Sequence, residues 1–185
     1  MGEFKESEHP RDKDGKFADK GRTTSSNGNN AKQRLKNVLK TYSEQIHFYR
    51  NMNELTEQLN SSPEKAKEIM TDAIKTGKIN LKLREQKQRE HIEGTLEYKQ
   101  AVKNGKSPSI LTQDANKLIK IHAGKGQLLF NKGKWTQTER FMHDGIIGEY
   151  INNQKGKRYK TQNGRIHYSN KGVHIVPDGK DRKNK

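Results

Sequence analysis

The sequence predicts an α+β protein: an N-terminal disordered tail and a helical hairpin, then a small domain of helices packed on an antiparallel β-sheet. Three observations carry this expectation. Apolar residues recur at helical spacing between Ala31 and Thr76, short helical patterns continue to His122, and a run of short β-like segments follows Gly124-Lys125-Gly126.

Residues 1 to 30 are polar, mixed in charge and rich in Ser, Asn and Gly, so they bury too little apolar surface to offset chain entropy. From Ala31 to about Asn60, Leu35, Val38, Leu39, Tyr42, Ile46, Tyr49, Met52, Leu55 and Leu59 predict one long amphipathic helix facing a core. Leu35, Val38, Tyr42, Tyr49, Met52 and Leu59 also fit heptad a and d positions, interrupted by Gln45 and Thr56, which allows self-association. Ser61-Ser62-Pro63-Glu64 gives a stop and restart, and a second helix runs to Thr76 before Gly77. The segment from 31 to 77 is thus a helical and candidate assembly region, and 78–185 the third part of the chain.

Beyond Lys78, helices are predicted around Leu83 to Arg89 and Leu96 to Lys103, with Asn104-Gly105 ending the latter. Ser107 to Thr112 is an extended connector. Asp114 caps a helix whose apolar face is Ala115, Leu118, Ile119 and Ile121. Strands are predicted at Gln127 to Asn131, Thr136 to Phe141, Gly145 to Tyr150, Gly164 to Ser169 and Gly172 to Val176, the last two forming a hairpin.

Only 28% of the chain is hydrophobic and the net charge is +16, a balance that favours polyanions, nucleic acid first. Residues 1 to 30 are net 0, residues 31 to 77 net +2 and residues 78 to 185 net +14, so nearly all the basicity is C-terminal. Without cysteine, neither a disulfide nor a thiolate zinc site can hold the fold. No apolar run approaches the roughly 20 residues that span a bilayer, so no membrane insertion is expected.

Strand alternation places Arg165, His167 and Ser169 on one face, and sets His174 and Val176 apart from Val173 and Ile175 after the turn. Imidazoles titrate near neutrality and serve as general base or acid, which is what metal-independent RNA cleavage needs. Polar residues on a solvated sheet face explain the same pattern, and His174, among Val173, Ile175 and Val176, also fits a half-buried structural imidazole. Gly124-Lys125-Gly126 offers backbone N–H groups to a phosphate or simply ends a helix. Lys155, Lys157, Arg158 and Lys160 form a basic segment for phosphate contact, as does Asp181-Arg182-Lys183-Asn184-Lys185. Tyr159, Trp135 and Phe141 are candidates for base stacking, with core packing as the alternative. No metal site and no cofactor is indicated by the spacing of histidines and carboxylates.

Two resemblances extend this. Glu8 to Gly21 is similar to a segment of phage head and head-associated proteins. The stretch from Gln88 to Pro177 resembles the polymorphic toxin type 50 domain, through Lys87 to Thr95, Tyr98, Asn104 to Leu111, Asp114, Leu118, Ala123 to Gly126, Gly148 and Ile166 to Pro177. That resemblance implies a ribonuclease-like fold of the barnase, EndoU, colicin and RelE group and metal-independent RNA cleavage. It implies His91, His167, Ser169 and His174 as catalytic candidates, with Lys125 and Arg165 beside the phosphate and Lys171 also in contact with nucleic acid. Together the resemblances suggest a phage minor capsid or ejection-type protein that binds DNA or RNA, with capsid or portal proteins and a second copy through residues 31 to 77 as partners. Its expected location is the virion or host cytoplasm. The alternative is an active ribonuclease toxin cutting RNA by 2′-hydroxyl attack.

Overall fold

A computed structural model describes residues 26–152 and 156–179, so the predicted tail lies, apart from residues 26–30, outside the described residues. Those last residues are helical: α1 spans Ser26–Ser61 and starts at Ser26 rather than Ala31. The chain divides into two units, Met1–Ser43 and Glu44–Lys185, and α1 runs across the division. In the first unit the described residues are all helical, and Leu35, Val38, Leu39 and Tyr42 are each more than half exposed. The expectation of a core-facing helix is therefore corrected there, because helical spacing reveals an apolar stripe but not what covers it.

In the second unit α1 becomes a core element only from Met52, Leu55 and Leu59 onward, while Ile46 stays exposed. A 3-10 turn at Pro63–Lys65 leads into α2 (Ala66–Lys75), which ends before Gly77 at a φ of 69°. Three short helices follow: α3 (Glu85–Arg89), α4 (Leu96–Lys103) and α5 (Ala115–His122). Thr95 caps α4 by accepting from the Tyr98 N–H, and Asp114 caps α5 by accepting from the Lys117 N–H. Of the predicted apolar face of α5, Ala115, Leu118 and Ile119 are buried, whereas Ile121 is exposed.

The strands form two antiparallel sheets. Three of them, β1 (Ile110–Leu111), β4 (Gly148–Ile151) and β5 (Arg158–Thr161), pair in the order β1-β4-β5. The other four, β2 (Gln127–Asn131), β3 (Lys134–Met142), β6 (Asn163–Ser169) and β7 (Gly172–Pro177), pair in sequence order. Lys132 and Gly133, with φ of 49° and 74°, make the two-residue turn between β2 and β3, since both central residues of such a turn need positive φ. Gly172, at φ 115°, opens β7 where a Cβ would lie 2.1 Å from the Lys82 carbonyl oxygen, so no side chain fits between β7 and the passing chain. Leu83 bridges Val173 in parallel there.

One face of the four-stranded sheet presents Phe141, Ile166, Tyr168, Val173 and Ile175 to Met52, Leu55 and Leu59 of α1, Met70 and Ala73 of α2, and Leu118 and Ile119 of α5, in a single core. Each large side chain buried in this way stabilises the fold by about 1.5–3 kcal/mol. The opposite face, carrying Thr138, Arg140, Arg165, His167 and His174, is the one that matters for chemistry.

Candidate active site

The β6–β7 hairpin puts His167 directly opposite His174, and their rings stack with centroids 4.8 Å apart and planes 22° apart. His91, from the turn after α3, also stacks on His174, with centroids 6.0 Å apart and planes 17° apart. Three imidazoles separated by up to 83 positions in the chain thus form one row, His91, His174, His167. Gln88 makes this meeting possible. Its side-chain amide donates to the Ile175 carbonyl (3.0 Å) and its carbonyl accepts from the Ile175 N–H (2.8 Å), clamping α3 to β7 beside His174.

His91 is held twice. Its ring Nδ1 lies 2.8 Å from the Ser109 carbonyl, and its own carbonyl accepts from the Leu111 N–H at 2.7 Å. A carbonyl can only accept, so Nδ1 carries the proton and the lone pair of the neutral ring is at Nε2. This bracing of the connector to β1 replaces the alternative in which His91 steadies the turn before Thr95.

Burial dominates the electrostatics. It pushes His174 down to about 3, with the neighbouring His167 and His91 adding to the effect. It pushes His167 down to about 4, reinforced by Arg165. It lowers His91 as well, against the pull of the Ser109 carbonyl in the other direction. All three rings are therefore neutral at neutral pH, each with one N–H and one lone-pair nitrogen. The Nδ1 of His174 is buried with no hydrogen-bond partner, a cost of about 1–3 kcal/mol for a polar atom removed from water. Arg84 and Lys87 place positive charge near His174, that of Lys87 offset in part by Glu90, whose carboxylate accepts from its ammonium at 2.7 Å.

The other predicted residues fare differently. The Ser169 hydroxyl donates to the Gly172 carbonyl (2.7 Å) and accepts from Arg84 at 3.5 Å, so it braces the hairpin turn. The Arg165 guanidinium shares the buried Asp178 carboxylate with Arg140, at 2.8 and 3.0 Å, which fixes it and offsets its charge. Lys171 is exposed at the turn. Lys125 is not beside the histidine row: it lines a cleft with Lys67, His122 and Arg140. The N–H groups of Gly124 and Gly126 are already taken by the Glu139 carboxylate, which also accepts from the Tyr168 hydroxyl, so a buried internal anion occupies the place suggested for a phosphate. Arg158 pairs with Glu93 (3.0 Å) and Glu149 (3.5 Å) on β5, a strand where a basic loop was expected. Lys157 and Lys160 are exposed there, and Lys155 lies outside the described residues. Trp135 and Phe141 are core residues, each 4% exposed, whereas Tyr159 is open to solvent.

Sequence reasoning gave no role to Gln88, Arg84, Glu139 or Asp178. A buried Glu between Thr138 and Arg140 carried a signal, since an acid inside an alternating strand needs partners. For Gln88 no local signal existed. His122 and His143, also left without a role, hydrogen-bond each other at 3.0 Å.

Residues 83–177 match the family described as bacterial toxin 50. The chain belongs to this family. The part of the bacterial toxin 50 chain that matches begins at the Leu83 bridge to Val173 and ends with Pro177 on β7. It therefore takes in the whole histidine row, Gln88 and both arginines on Asp178. No curated protein matches the chain. Among the described residues no group of three His, Cys, Asp or Glu is arranged to hold a metal ion. Stacked imidazoles present their faces to one another rather than converging their nitrogens on one point.

Proposed function

We propose that this toxin domain is a ribonuclease that cleaves RNA by 2′-hydroxyl attack. The observation that carries this is the row of three desolvated, neutral imidazoles beside Arg84 and Lys87. His91, with its lone pair fixed at Nε2, takes the 2′ proton. The scissile phosphate brings negative charge next to His174 and His167, which raises their affinity for a proton and equips one of them to protonate the leaving 5′ oxygen. Arg84 and Lys87 stabilise the charge of the pentavalent phosphorane. The reaction uses side chains alone.

A second function, a phage minor capsid or ejection-type protein that binds nucleic acid without cutting it, draws on two observations. Residues 8 to 21 are similar to phage head-associated segments, and residues 78 to 185 carry a net +14. Incubation of the full chain with labelled single-stranded RNA, double-stranded RNA and DNA in EDTA separates the two. RNA cleavage that is lost in the His91→Ala, His174→Ala double variant supports the ribonuclease. Binding without cleavage by either protein favours the virion component.

A further inference from the structure

Two clefts on the second unit share a border. The first, of about 430 Å³, is lined by Lys67, Lys125, Arg140 and His122, with no carboxylate in its wall. The second, of about 490 Å³, has an apolar and aromatic wall that includes Ile146, Tyr150 and Tyr159. Met142 and Asn163 line both, so the basic cleft and the aromatic one are neighbours across these two residues.

The chain holds the two halves rigidly. Lys125 sits between two glycines whose N–H groups grip the buried Glu139, and its own N–H donates to the His122 carbonyl at 3.0 Å, so its side chain springs from a fixed turn. Asp178 fixes Arg140, and because that single carboxylate is shared with Arg165 the two guanidiniums together keep a net positive charge. Tyr150 and Tyr159 are directly opposite each other on β4 and β5, which sets one aromatic wall. Between the halves, the Asn163 N–H donates to Thr161 Oγ1 and its carbonyl accepts from the Asp178 N–H, so the residue at the border is anchored by its backbone while its side chain lines the groove.

A cationic hollow joined to an aromatic one through an amide side chain matches the parts of a nucleotide: phosphate, base and the polar edge that tells bases apart. We infer that this groove binds a nucleotide, with the phosphate against Lys67, Lys125 and Arg140 and the base against Tyr159. The inference rests on the assignment of this domain to nucleic-acid chemistry and adds a second position to it, separate from the histidine row. Stacking of a base on an exposed aromatic contributes about 1–3 kcal/mol and tolerates any base, so the groove grips RNA without demanding a sequence.

The test is a titration of the full chain with adenosine 5′-monophosphate, adenosine and inorganic phosphate, read by backbone amide shifts. Adenosine 5′-monophosphate should shift Gln127, Asn163 and Lys160 and bind at least roughly tenfold more tightly than either fragment. Tyr159→Ser should weaken adenosine and the nucleotide but not phosphate. Lys125→Glu should weaken phosphate and the nucleotide but not adenosine. Both changes are at exposed positions, so the fold persists. The inference is overturned if the nucleotide binds no better than phosphate, if its shifts fall on His91 and His174 instead, or if neither variant matters. Absence of nucleotide binding at the groove of the parent chain, with its RNA cleavage intact, refutes the groove alone. Nucleotide binding without RNA cleavage refutes the ribonuclease and leaves the groove.

Discussion

Acidification to about pH 5 should destabilise the fold by several kcal/mol through His167 and His174. Burial holds their folded-state values at about 4 and about 3, against 6.5 for an unperturbed imidazole. Between those values the unfolded chain binds protons that the folded chain refuses. Stability is therefore complete above pH 6.5 and is lost as pH falls from there towards 4. A pH of about 5 lies roughly 1.5 units below the unfolded value, and at about 1.4 kcal/mol per unit each ring costs roughly 2 kcal/mol and the pair roughly 4. Water at the partly exposed His167 screens its share, which makes roughly 4 kcal/mol an upper figure. Urea unfolding of the parent and of a His167→Gln, His174→Gln variant at about pH 7.5 and about pH 5 measures the difference, because the variant lacks both linked protons. The parent should lose several kcal/mol more than the variant over this range. Equal losses in the two proteins, or imidazole resonances that titrate at the unperturbed value, would refute the argument that the row is desolvated.

Three further outcomes are expected. Glu139→Ala leaves the Gly124 and Gly126 N–H groups and the Tyr168 hydroxyl unpaired in the core and should cost at least about 3 kcal/mol, whereas Tyr168→Phe, which removes one donor, should cost about 1–2 kcal/mol; urea unfolding reports both. Gly148→Ala would set a Cβ 2.0 Å from the Ile110 carbonyl oxygen, so β1 must separate from β4, with a cost of about 1–3 kcal/mol and faster amide exchange at Thr112, whose N–H donates to the Ile147 carbonyl. RNA binding should weaken with salt, log K falling by about 0.7 per contacted phosphate for each tenfold rise in concentration; a flat response in a filter-binding series would remove charge as its source.

Much of the fold was legible locally. The caps at Thr95 and Asp114, the stop at Gly77 and the hairpin turn before Gly172 are written in neighbouring residues, because capping and turn geometry involve only a few consecutive positions. The strand pairing that faces His167 towards His174 follows from period-two alternation around that turn. What spacing could not supply was the partner of each face. The stripe from Leu35 to Tyr42 has the same periodicity as a buried one and is exposed. The basic run around Arg158 became a strand because β4 offered it a ladder and Glu93 and Glu149 offered it counter-charges.

By itself the sequence determined the α+β class, the concentration of positive charge in residues 78 to 185 and the residue types able to move a proton, since composition and periodicity depend on nothing beyond the chain. The tertiary structure alone decided which of those groups meet. It gave Arg165 to Asp178, gave the glycine amides to Glu139, made Ser169 a turn brace, and brought His91 to His174 through a glutamine that bonds a backbone 87 residues away. Burial, and with it the neutrality of the three imidazoles, is a property of what surrounds a side chain, and those surroundings come from distant parts of the sequence.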